Sequence, residues 1–166
     1  MKLCAVSDGL GHLAFEDAAK ASAELGLAAL EICTGNWSGA PHANLQSLLE
    51  SKEKRRDFLS VLERNGLSLA VLNCSGNQLH PVDGDRQSKV VYDTLRLAEL
   101  LDIHAIVLMS GPPAGGPADV RPNWITCAWP PEKRGDPRLA KERKARTLLD
   151  EACCGCQRLR DYKALY

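Results

Sequence analysis

Leu67-Ser68-Leu69-Ala70-Val71-Leu72-Asn73-Cys74-Ser75-Gly76-Asn77 is a short apolar run that breaks off in small polar residues. A run of that length, bounded by Gly and Asn, suits a buried strand that opens into a loop. The same pattern occurs in Lys2–Val6 before Ser7-Asp8-Gly9, and in Ala28–Cys33 before Thr34-Gly35-Asn36-Trp37. It returns in His104–Met109 before Ser110-Gly111. Helical spacing fills the intervals. One helix is expected over Phe15–Leu25, with Phe15, Ala18, Ala19, Ser22 and Leu25 on its inner face and Gly26 as its stop. A second spans Leu45–Asn65, with Leu45, Leu48, Leu49, Leu59 and Leu62 inward, and a third spans Gln87–Leu101. Its inner face is Val90, Val91, Leu95, Ala98 and Leu101. The order β-α-β-α-β-α-β predicts an α/β fold of parallel strands, about four βα units, which suit half of a closed barrel. In such folds the carboxyl ends of the strands build the site.

Beyond Gly111 the pattern is lost. Pro112, Pro113, Pro117 and Pro122, with Gly115 and Gly116, predict an irregular segment. Residues 138–162 have the spacing for one C-terminal helix, in which Ala145, Leu148, Leu149, Ala152, Cys153, Cys156 and Leu159 share a side. Charge changes sign at the same place. Residues 1–132 carry 11 Lys/Arg against 16 Asp/Glu, and residues 133–166 carry 10 against 5. Residues 1–132 are therefore read as the barrel portion and 133–166 as a divergent basic tail, the signature expected of a shifted reading frame or a truncated gene.

The formal net charge is zero, which offers no electrostatic case for nucleic acid or membrane partners. Neither a signal peptide nor a membrane span is visible, and seven scattered cysteines suit reduced thiols in the cytoplasm. Cys153, Cys154 and Cys156 invite a structural zinc reading, but adjacent cysteines on the expected helix point in different directions and the other nearby cysteine is Cys127, so a tail of no selected function is the plainer reading. Chemistry concentrates at the strand ends. Leu72-Asn73-Cys74-Ser75-Gly76-Asn77-Gln78-Leu79-His80-Pro81 places amides, a hydroxyl and an imidazole where ring hydroxyls of a polyol can be hydrogen-bonded. The plain alternative is a polar loop whose Asn side chains satisfy their own backbone. Asp8, Asn36, Trp37 and Ser110 would share the same rim, with Trp37 as a stacking platform. Of the other histidines, His12 lies on a rim loop, whereas His42 and His104 read as structural.

The succession Ala28-Ala-Leu-Glu-Ile-Cys-Thr-Gly-Asn-Trp37, Leu72-Asn-Cys-Ser-Gly-Asn-Gln-Leu-His-Pro81 and Ile106-Val-Leu-Met-Ser-Gly111 resembles the first half of the xylose-isomerase-like TIM barrels, which implies a partial TIM barrel of about four βα units. Within that superfamily it is most similar to the sugar phosphate isomerases/epimerases, over roughly residues 1–132. The resemblance implies metal-dependent proton transfer between adjacent carbons of a sugar or sugar phosphate. It also implies a divalent metal (manganese, magnesium, cobalt or zinc) in the complete fold, held mostly by strands five to eight. Nothing after Glu132 matches those strands, so no catalytic and no metal-ligating residue is assigned, and this chain is expected to bind no metal itself. Asn36, Trp37, Asn73, His80 and Ser110 carry over as substrate-binding positions. Two other readings remain: a non-catalytic half-barrel, remnant or self-pairing module, whose open edges would close in a homodimer, and a phosphodiester-cleaving relative. The lack of a basic face in residues 1–132 speaks against the last.

Overall fold

The computed structural model describes residues 2–109 and Gly111. It contains β1 (Cys4–Val6), a 3-10 turn (Ser7–Leu10), α1 (Phe15–Glu24), β2 (Ala29–Cys33), α2 (Leu45–Glu50), α3 (Lys52–Arg64), β3 (Ser68–Asn73), α4 (Gly84–Leu100) and β4 (Ile106–Val107). The four strands are all parallel and lie in the order β1-β2-β3-β4. The fold is thus α/β, as the alternation of apolar runs and helical spacing implies. Residues 112–166, including the proline-rich segment and the expected C-terminal helix, lie outside the described residues. None of the described helices is long and apolar enough to cross a membrane.

The chain divides into two compact units, one formed by residues 2–74 and 93–107, the other containing 75–92. In the first unit, sequential order and right-handed crossovers put the helices on one face of the sheet. Leu30 and Ile32 of β2 are fully buried on that face, and Leu72 of β3 is 1% exposed beside them. Ala18, Ala19 and Ser22 bury the inner side of α1, while Phe58 and Leu62 do so for α3. Phe15 stacks on Phe58 with centroids 4.7 Å apart, which joins α1 to α3. Val6, Ala29, Glu31, Cys33, Val71, Asn73 and Val107 alternate onto the opposite face, where Ala29 and Cys33 are buried, Glu31, Val71, Asn73 and Val107 half-buried and Val6 exposed.

Three departures from the expected elements have local causes. The second helix is two, because Ser51 is extended (φ −122°, ψ 118°) and its hydroxyl accepts from the Lys54 N–H to start α3. Arg55 closes the break by donating to the carbonyls of Leu48 and Leu49. After the break Phe58 faces inward where Leu59 was expected, while Leu62 stays inward. Leu25, expected inside, is 72% exposed because α1 has already ended at Glu24. Buried positions on α4 include Thr94 and Leu97, where spacing pointed to Leu95.

The helix ends share one device. Leu27 N–H bonds to Ser22 O around Gly26 (φ 78°), and Leu67 N–H bonds to Leu62 O around Gly66 (φ 68°). After α4 the same loop forms, Ile103 N–H to Ala98 O, but the left-handed residue is Asp102 (φ 56°). A Cβ in that region costs about 1 kcal/mol. Asp102→Gly is therefore expected to raise stability by roughly 0.5–1 kcal/mol, read as a higher urea midpoint at unchanged slope.

Candidate functional site

In the first unit, the carboxyl ends of β1, β2 and β3 carry a connected set of polar groups. The turn after β2 is shaped by Gly35 (φ 144°) and Asn36 (φ 66°), the two residue types that accept positive φ most readily. Thr34 anchors that turn. Its N–H and its hydroxyl both donate to Asn73 O, at 2.8 and 3.0 Å. That hydroxyl has one proton, so its 2.8 Å contact with the Thr94 hydroxyl makes Thr94 the donor. Both threonines are buried, which explains a polar residue at 0% exposure on α4.

Asn36 Nδ2 donates to Cys74 O at 2.8 Å, so this side chain ties the β2 turn to the end of β3. Trp37, the next residue, is 58% exposed. Ser38, one residue further, donates to Asp8 Oδ1 at 2.8 Å and accepts from Ala40 N–H. Ala40 sits at φ 48°, a strained conformation for a residue with a Cβ. A loop that stores strain while presenting an indole at a strand end is the type of segment from which binding surfaces are drawn.

Asn73 closes β3 and donates from Nδ2 to Glu31 Oε1. Glu31 and Asn73 both lie on the sheet face without helices, as does Cys33. Sequence reasoning passed over Glu31 because it sits inside the apolar run of β2, where a charge should be rare. Its strand parity, opposite to Leu30 and Ile32, was the available signal. Cys33 is buried at the head of the same face, and desolvation together with Asp8 pushes its thiol up to about 11. Burial pushes the Cys74 thiol up to about 12. Both therefore stay protonated at neutral pH and are poor nucleophiles. Cys4, Cys33 and Cys74 are all free.

The second unit contains the loop that follows β3. Asn77 Oδ1 accepts from Leu79 N–H, and Asn77 N–H donates to Gln87 Oε1. His80 Nδ1 accepts from Val82 N–H at 3.2 Å and Asp83 N–H at 3.0 Å, just ahead of α4. The ring thus closes the turn that starts the helix. With Nδ1 accepting, the proton of the neutral imidazole sits on Nε2, which can donate to a sugar oxygen but cannot ligate a metal. The plain loop reading holds for Asn77, whose side chain bonds its own backbone.

Of the expected site residues, Asn36, Trp37 and Asn73 meet at neighbouring strand ends of the first unit, while His80 belongs to the second. Ser110 lies outside the described residues. Among the described residues, no three His, Cys, Asp or Glu side chains gather closely enough to hold a metal ion. The arrangement is suited to accepting and donating hydrogen bonds around a small polar ring, with an indole to cover one face of it.

No family model matches the chain. Over 134 residues it is 50% identical to an uncharacterized protein, YfiH, of Bacillus subtilis (strain 168). That match takes in 79% of this chain and 43% of the relative, so the chain spans less than half the length of the curated relative it matches.

Proposed function

We propose that this chain supplies the sugar-binding, amino-terminal part of a sugar or sugar phosphate isomerase/epimerase barrel that works in the cytoplasm. The observation that carries the reading is the strained loop after β2, which exposes Trp37 next to Asn36, whose side chain ties this loop to the end of β3. An exposed indole covers the apolar face of a pyranose or an open-chain sugar, and the Asn73 amide and Glu31 carboxylate meet its hydroxyls. His80 Nε2–H is a further donor on the loop after β3. Interconverting an aldose and a ketose, or inverting a carbon next to a carbonyl, needs a base for the proton and an electrophile for the enediolate oxygen. In this reading those groups, and any divalent metal, lie outside residues 2–109. The role of the described residues is to hold and orient the sugar.

Titrating the full chain with ketoses, aldoses and their phosphates should give a saturable change in Trp37 fluorescence. Trp37→Ala should lose that change and weaken binding, read by calorimetry, about tenfold. Saturable binding without turnover in Mn2+, Mg2+ or Co2+ fits the reading. Failure of every sugar in the panel to bind, in a chain shown to be folded by circular dichroism, overturns it.

A further inference from the structure

Trp37 is 58% exposed, yet the residues on either side of it are both tied down by their side chains. Asn36 Nδ2 donates to Cys74 O at 2.8 Å, at the end of β3. Ser38 Oγ donates to Asp8 Oδ1 at 2.8 Å, in the turn that follows β1, and the same oxygen accepts from Ala40 N–H at 2.9 Å. Because β2 lies between β1 and β3, the two anchors pull the loop toward opposite sides and the indole stands between them. Two further contacts seat the loop on the segment after β1. His42, buried at 7% exposure, donates from Nε2 to Leu13 O at 3.1 Å. A Cβ at Gly11 would lie 3.2 Å from Pro41 Cγ, so the two segments touch there as well. An exposed aromatic whose backbone is fixed on both flanks has given up its freedom before a ligand arrives, and such preorganisation raises affinity without adding a contact.

We infer that Asp8 is a positioning residue for the Trp37 platform: acting through the Ser38 hydroxyl, it fixes the loop that presents the indole and so sets the affinity for a ring stacked there. A carboxylate holds a hydroxyl more firmly than a neutral oxygen does. Asp8 is itself well placed to hold it, since Asp8 O accepts from Gly11 N–H at 3.1 Å and the adjoining Ser7 hydroxyl accepts from Cys33 N–H at 3.4 Å, which ties this turn to β2. The strain at Ala40 (φ 48°) is what the anchor opposes, because Ala40 N–H bonds to the same Ser38 oxygen. Without the Asp8 bond that strain is relieved by movement of residues 37–40.

The affinity effect rests on the sugar-binding reading of Trp37, whereas the order of the free indole does not, so the two are measured separately. The full chain has three tryptophans, and the indole N–H signal of Trp37 is the one missing in Trp37→Phe. Its heteronuclear NOE in the free protein should fall in Asp8→Ala and in Ser38→Ala while circular dichroism is unchanged. Asp8→Asn, which keeps an oxygen for the Ser38 hydroxyl, should retain both the NOE and the affinity of the wild type. Sugar affinity should fall about fivefold in each alanine variant and no further in the double variant, because both remove the same bond. An indole as ordered in Asp8→Ala as in the wild type overturns the inference. Losses of affinity that add in the double variant also overturn it, since Asp8 would then touch the sugar directly. A loosened indole in a chain that binds no sugar upholds the positioning role and removes the sugar reading instead.

Discussion

Ile32→Ala is expected to cost about 3 kcal/mol of stability, the largest loss from shortening any single side chain of the sheet. Ile32 is fully buried in β2, which, like β3, has a strand paired on each side. It pairs with Leu72, itself 1% exposed, and lies under the helices of the first unit. Truncation removes three carbons from a place where the neighbours are held by two ladders and cannot close the gap. For a unit of this size the loss corresponds to a fall in melting temperature of roughly 15 °C. Urea unfolding should show the midpoint falling with the slope unchanged, which separates lost packing from a changed denatured state. Leu25→Ala is the matched comparison. The residue is 72% exposed, so it should shift the midpoint very little. Equal losses from the two would contradict the placement of Ile32 in the core and Leu25 outside it.

Burial of β2 was legible in the chain because the strand is almost uninterrupted in apolar residues, as a strand covered on both faces should be, and its residues are buried on both: Leu30 and Ile32 on one, Ala29 and Cys33 on the other. The helix ends were legible as well, since Gly26 and Gly66 stand where positive φ is required. Three kinds of information were hidden. The first is a break: nothing in the apolar spacing of Leu45–Asn65 announces that Ser51 turns the chain, after which Phe58 rather than Leu59 is buried while Leu62 stays inward as expected. The second is burial of polar groups. Thr94 is invisible to a hydrophobic pattern because its inward position depends on Thr34, sixty residues away, with which it exchanges a hydrogen bond. The third is the meaning of polar residues at strand ends. Asn36, Asn77 and His80 all read as ligand-facing by type and place, yet each spends at least one polar atom on backbone. Only Trp37 keeps a largely exposed surface. Spacing locates a loop at the rim, but it does not say which of the loop's side chains build the loop and which remain for a ligand.

Gly84→Ala separates those two roles in the second unit. Gly84 opens α4, and a Cβ there would sit 2.5 Å from the carbonyl oxygen of Gln78 and 3.3 Å from its carbonyl carbon. Both are backbone atoms, so no side chain can swing aside; the loop or the helix start must move. The displaced groups are those that hold the turn: Gly84 N–H on His80 O at 2.9 Å, and the two N–H groups on His80 Nδ1. The expected cost is about 2–3 kcal/mol. Native-state hydrogen exchange should find it first at the amides of Val82, Asp83 and Gly84, with the amides of β2 little affected. Gly9→Ala and Gly39→Ala meet no atom within 4 Å and should cost under about 0.5 kcal/mol. In the proposed function His80 is a sugar donor, so Gly84→Ala also lowers affinity. Because His80 Nδ1 is what fixes the ring, His80→Asn, which keeps a short acceptor for the turn, would restore much of the stability lost in His80→Ala but would not return the Nε2–H donor. Stability and affinity then part company at one residue, which is the behaviour expected when a side chain both builds a loop and faces a ligand.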